Sequence, residues 1–197
     1  MRKLPLAGIL AGTGALLLVV SAGAQADWTL DGNASSFHYV TSKNAAVTEV
    51  NTISGLQGGI NGQGLATLVL DLGTIDTAVE IRNERMRELV FQVAQFPSAT
   101  VSVQVESTEI DAMPVGMPIS GTYTASLSLH GMQQELSADL ALVKLTNNTL
   151  MVSLARPLVI SAAGFGLGEG VEQLRNLAGL TTINPNVVID FSLLYRQ

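Results

Sequence analysis

Polar and apolar residues alternate along most of this chain. Between Ile119 and His130 the set Ile119, Gly121, Tyr123, Ala125, Leu127 and Leu129 is interleaved with Ser120, Thr122, Thr124, Ser126, Ser128 and His130. That period of two predicts a half-buried strand, the clearest in the sequence. Leu136, Ala138, Leu140 and Leu142 continue it beyond a turn at Gly131-Met132. Val101, Val103 and Val105 alternate with Ser102, Gln104 and Glu106, and Val187, Ile189, Phe191, Leu193 and Tyr195 with Asp190, Ser192 and Arg196. Weaker runs predict strands at Trp28–Asp31, Ser36–Thr41, Val47–Ile53 and Leu65–Leu72, with short extended pieces around Leu150–Leu154 and Leu158–Ile160. Gly55, Gly58, Gly59, Gly62 and Gly64 punctuate the middle of this series and predict bulges or tight bends.

Two stretches carry a helical period instead. In Thr77–Val93, the residues Val79, Met86, Leu89, Val90 and Val93 fall on one side. Glu80, Arg82, Glu84, Arg85, Arg87 and Glu88 give this stretch most of its polar surface. Thr77 and Glu80 have capping-box spacing. Val171–Ala178, with Gly179 as its C-terminal stop, is the second helix. Met113-Pro114 to Met117-Pro118 reads as a loop. About eight antiparallel strands with two short helical insertions define an all-β chain. Closing such a sheet removes its edges, so an antiparallel barrel is the expected solution, with a two-sheet sandwich as the alternative. Eight strands leave an interior that packs solid or holds one small ligand, and composition alone does not choose between them.

The N-terminus changes the length of chain to be folded. Arg2 and Lys3 precede an apolar run from Leu4 to Val20, and Ala24-Gln25-Ala26 supplies the small residues that a signal peptidase reads. A cleaved signal peptide of residues 1–26 and a single domain of residues 27–197 are expected, so the protein is exported, with a bacterial periplasm as the address. Removing Arg2 and Lys3 leaves 10 − 2 = 8 basic residues against 16 acidic ones, a net charge of −8. That balance argues against nucleic acid and anionic membrane surfaces as partners. No further membrane span follows the signal run, and a homodimer is left open. The absence of cysteine excludes disulfides and thiolate chemistry.

Candidate chemistry is sparse. His38 and His130 belong to no HxH or HExxH pair, and the acidic residues are not grouped at calcium-loop spacing. No GxSxG elbow is present. Gly164–Gly170 (GFGLGEG) lacks both the dinucleotide and the P-loop spacing. No metal, cofactor or catalytic residue is expected. Met86, Met113, Met117, Met132 and Met151 read as adaptable fillers of an apolar interior.

Several fragments, taken in order, resemble the YceI-like family of bacterial envelope proteins. They are Trp28-Thr29-Leu30-Asp31 with Ser35-Ser36-Phe37, then Ile75-Asp76-Thr77 leading into Ile81–Arg87, Phe91 and Phe96-Pro97, and finally Leu129-His130-Gly131. Asn83 stands where the resemblance places an aspartate, and Ser161–Gly166 replaces a segment with a charged pair. The resemblance implies a lipocalin-like barrel whose hydrophobic tunnel holds a long-chain isoprenoid or another apolar lipid. The non-enzymatic carrier it suggests has two rivals in other classes, a solid-core interaction module and a lipid-modifying enzyme using His38 or His130. Candidate tunnel or mouth residues are Phe37, Tyr39, Met86, Val90, Phe91, Phe96, Tyr123, Phe165 and Phe191, with Arg82 and His130 as donors to a polar head. The Thr77 helix and the loop Phe165–Leu180 are expected to close the barrel ends.

Overall fold

The structure, a computed structural model, describes residues 26–197. The expected signal peptide therefore lies outside the described residues, apart from Ala26. Ten strands occur among the described residues: β1 (Ala26–Leu30), β2 (Ser36–Lys43), β3 (Val47–Asn61), β4 (Leu65–Asp76), β5 (Ser98–Gln104), β6 (Pro118–Leu129), β7 (Met132–Thr146), β8 (Thr149–Leu154), β9 (Leu158–Ser161) and β10 (Asn186–Arg196). All their pairings are antiparallel. From β2 to β8 each strand pairs with the next, and β10 pairs with both β2 and β8, which closes the ring.

Ten strands occupy eight positions. β1 and β2 both lie between β10 and β3, interrupted by the short 3-10 turn Gly32–Ala34. β8 and β9 likewise share one side of β10, split at Arg156-Pro157 where proline withholds a ladder donor. The closed antiparallel sheet expected from the alternation is thus present, with two of its eight strands broken.

The glycine-rich middle departs from the expectation of bends. β3 runs unbroken for 15 residues through Gly55, Gly58 and Gly59. One irregularity sits between Ile53 and Gly55, opposite the Asp71–Thr74 stretch of β4, where the Thr74 hydroxyl accepts from the Gly55 N–H at 2.9 Å. Its effect is to switch the inward face from odd to even positions, so Asn51 and Ile53 point in and then Leu56 and Ile60.

Helices close the two ends. At one end sit α1 (Glu80–Arg85), which continues as a π-turn over Met86–Val90, and α3 (Gly168–Leu177). At the other end sits α2 (Ser107–Ala112), a helix the sequence reading missed. The expected capping box is not made: Val79 is the N-cap of α1 and no side chain caps it. Thr77 turns instead to Asn83, while Glu80 pairs with Arg87. α3 begins three residues before Val171, following a 3-10 turn at Ala162–Phe165 and a left-handed Gly166. The methionines divide as well. Met113 is buried and Met86 half-buried, but Met117 and Met132 are exposed rather than filling the interior.

α2 is held by a buried cation. The Lys144 ammonium, on β7, donates to the backbone carbonyls of Ile110 at 3.3 Å and Asp111 at 3.1 Å. These sit at the C-terminal end of the helix, where the dipole is negative and carbonyls lack partners. Replacing Lys144 with Met keeps the stem but leaves the Asp111 carbonyl unpaired. We expect a loss of about 1–2 kcal/mol, read as faster amide exchange at Met113 and across α2 than across β7.

Candidate functional site

The ring is hollow. It encloses a cavity of about 460 Å³ whose wall is overwhelmingly aliphatic and aromatic. The inward-facing sets of β5, β6 and β7 line it with Val101 and Val103, Ala125 and Leu127, and Ala138 and Leu140. β10 adds Val187, Ile189, Phe191, Leu193 and Tyr195. Strand alternation is the cause, since every second side chain of a closed sheet must point into it.

One end of the cavity is different. There α1 contributes Arg82 and Arg85, β2 contributes Thr41, Ser42 and Lys43, and β3 contributes Glu49 and Asn51. Glu49 braces this end, accepting from Lys43 at 2.9 Å and from Arg82 at 2.8 Å. Burial pushes the Glu49 carboxyl up, but the hydrogen bonds and charges of Lys43 and Arg82 together hold it below the usual carboxylate range. Arg82 also donates to the Thr77 hydroxyl at 2.9 Å. Among the described residues the charged lining is three cations and one carboxylate, in a chain whose formal net charge is −6.

Tyr39 lies beside this polar end. Among the described residues its buried hydroxyl has no hydrogen-bond partner, and burial pushes the phenol well above its usual range, with Arg82 offsetting part of that rise. At the opposite end Tyr123 lines the wall, raised by burial and by the nearby Glu109.

Of the sequence candidates, Phe37, Tyr39, Arg82, Met86, Val90, Phe91, Tyr123, Phe165 and Phe191 all line the cavity. The π-turn is what brings Met86, Val90 and Phe91 in together, because its wider winding puts residues four and five apart on one face. Leu89, expected to face inward with them, does not line the cavity. Phe96 and His130 are not part of the wall either. Their rings meet outside it at a tilt, with centroids 4.4 Å apart, at the tight turn His130-Gly131 in which both residues have positive φ. His38 is also absent from the wall; on β2 it sits between Phe37 and Tyr39, pairing across to Asp190.

A closed antiparallel ring around an apolar chamber, capped by helices, defines a lipocalin-like class of protein. The YceI-like domain model matches residues 28–194, and the chain belongs to that family. Among solved structures it is similar to a polyisoprenoid binding domain from Saccharophagus degradans implicated in plant cell wall breakdown. The identity is 37% over 87% of this chain and 99% of that one, with a TM-score of 0.86. It also resembles BcnA of Burkholderia cenocepacia in fold, at 17% identity and a TM-score of 0.63 over 84% of this chain and 98% of that one. A search of curated proteins by sequence gave no match.

Proposed function

We propose that this protein is an exported, periplasmic, non-enzymatic carrier of an isoprenoid-type apolar or amphiphilic lipid, held in the chamber with its polar head toward Arg82 and Arg85. The observation that carries the reading is the apolar cavity of about 460 Å³ inside the ring, well inside the range of about 300–1,000 Å³ typical of ligand sites. The similarity to a polyisoprenoid binding domain supports the ligand class. A signal-like N-terminus supports the compartment. Each five-carbon unit taken from water contributes about 4 kcal/mol gross, at ~0.8 kcal/mol per carbon group. Ordering and association costs absorb much of that, but no catalytic group is needed. A solid-core module would have no such chamber.

The test is to purify the protein from its native envelope, extract it with organic solvent and identify any stoichiometric lipid by mass spectrometry. Ala138→Trp supplies the control, because Ala138 faces the chamber from the middle of β7. Its indole would occupy space the ligand needs while the ring's hydrogen bonds stay intact. We expect a folded variant whose lipid content falls by at least about tenfold. Native protein without lipid would sink the carrier reading.

A further inference from the structure

We infer that the lipid site has a second compartment beneath α2, which receives the far end of a long chain and sets the chain length the protein prefers. This rests on the carrier reading above. A second cavity of about 340 Å³ lies at the α2 end, half-open to solvent, with Glu109, Ala112 and Ile119 of its wall exposed. Val105, Ile110, Tyr123 and Leu142 line both it and the main chamber, so these four side chains form the partition between them. The remaining wall of the second cavity is Glu109, Ala112 and Met113 from α2 and the segment after it, and Ile119 from β6.

Volume gives the reason a chain would need it. An apolar cavity of about 150 Å³ holds one benzene, or about 25 Å³ per carbon. On that scale the main chamber of about 460 Å³ takes about 18 carbons, between three and four isoprene units. Adding the second cavity of about 340 Å³ raises the capacity to about 32 carbons, roughly six units. A longer prenyl chain whose head stays at the Arg82 end has to pass the partition or leave its tail in water.

The electrostatics agree with that direction. The cationic lining is confined to the α1 end, and the partition is uncharged. α2 closes this end of the ring as a separate short element. α2 is short, and its interior contact is made by Ile110 and the following Met113, both buried. It is fixed to the wall by the Lys144 bonds to its last carbonyls rather than by a strand ladder. Of the four partition side chains only Ile110 belongs to α2, so a shift of this turn would open one side of the partition without breaking the ring.

Ile119 and Ala112 line the second cavity and not the first, and both are exposed enough to accept bulk without disturbing the fold. The experiment presents the intact protein with an equimolar mixture of a prenol of about three units and one of about six, a pair chosen by the volumes above. After detergent removal, the retained prenols are extracted and quantified by mass spectrometry. Wild type should retain the longer prenol in at least about tenfold preference. Ile119→Trp, and independently Ala112→Trp, should bring that ratio near unity while leaving retention of the shorter prenol unchanged. If neither variant moves the ratio, or both prenols are lost in proportion, the second compartment is not part of the site. If wild type retains neither prenol, the carrier reading fails and this proposal falls with it; retention of the shorter prenol alone overturns this proposal and leaves the carrier intact.

Discussion

Gly170→Ala is expected to destabilise the protein by about 2 kcal/mol, although alanine is the better helix former by about 1 kcal/mol. A Cβ at Gly170 of α3 would lie 2.2 Å from the Leu89 carbonyl oxygen and 2.7 Å from the Val90 Cα. Both are backbone atoms of the π-turn, so no side chain can rotate away. Either α3 or the Met86–Val90 segment has to move. Overpacking typically costs about 1–3 kcal/mol, and contact with fixed backbone belongs at the upper end, which outweighs the gain in propensity. The functional consequence follows from what α3 carries. Val171 and Leu174 reach the chamber from this helix, and Val90 and Phe91 from the segment it packs on. Separating the two opens the polar end of the site. Urea denaturation gives the stability change, and amide exchange in α3 that accelerates more than exchange in β6 and β7 would locate it. An unchanged midpoint would mean that the close packing of these two segments is not required.

The contact at Gly170 is not visible in the sequence, where Gly164–Gly170 is a glycine-rich run without dinucleotide or P-loop spacing. The ring itself was legible. Its signal is the period of two, and that period is strongest where a strand has one wet and one buried face for its whole length, as β6 and β7 do. It fails where parity changes. At the irregularity near Gly55 the inward set shifts by one residue, so β3 looked like a short strand followed by a broken segment. It fails again for α2, whose six residues are too few to show a helical period.

The site was partly legible for the same reason. Phe37, Tyr39, Phe91, Phe165 and Phe191 stand out as large apolar residues at inward positions. Thr41, Glu49 and Asn51 share inward parity with Tyr39 and Ile53, and that register is the signal that could have found the polar end of the chamber. His130 and Phe96 were chosen by chemistry and resemblance rather than by register, and the hairpin turn takes them outside the wall. In the sequence Arg85 belongs to a polar helix face; the position of α1 over the ring mouth brings it to the lining, and no spacing rule encodes that.

Asn83→Asp is the substitution in which the fold and the family resemblance make opposite demands, and we expect it to cost about 2 kcal/mol at neutral pH. Asn83 is buried at the base of α1. Its side-chain oxygen accepts from the Thr77 N–H at 2.8 Å and from the Thr77 hydroxyl at 2.6 Å. Its amide nitrogen donates to Asp76 at 3.3 Å and to Glu80 at 3.4 Å. A carboxylate could keep the first pair of bonds, but it has no donor for the second. It would set a third negative charge against Asp76 and Glu80, while Arg82, the nearest cation on α1, is already committed to Glu49 and Thr77. The neutral amide is therefore what lets two acids flank this helix start. The sign of the pH dependence follows. Repulsion raises the folded-state pKa of the new group above its unfolded value of about 3.9. Relative to the unfolded chain the variant is then least penalised in acid, and the penalty grows as pH rises through the raised pKa. Denaturation of wild type and N83D should give nearly equal stabilities near pH 3 and a gap that opens to its full size by about pH 7. Asn83→Ala separates the two terms: it loses all four bonds, to Thr77, Asp76 and Glu80, but adds no charge, so its cost should vary much less with pH in this window than that of N83D. A pH-independent gap for N83D would assign the whole effect to lost hydrogen bonding and leave the paired acids without a role at this position.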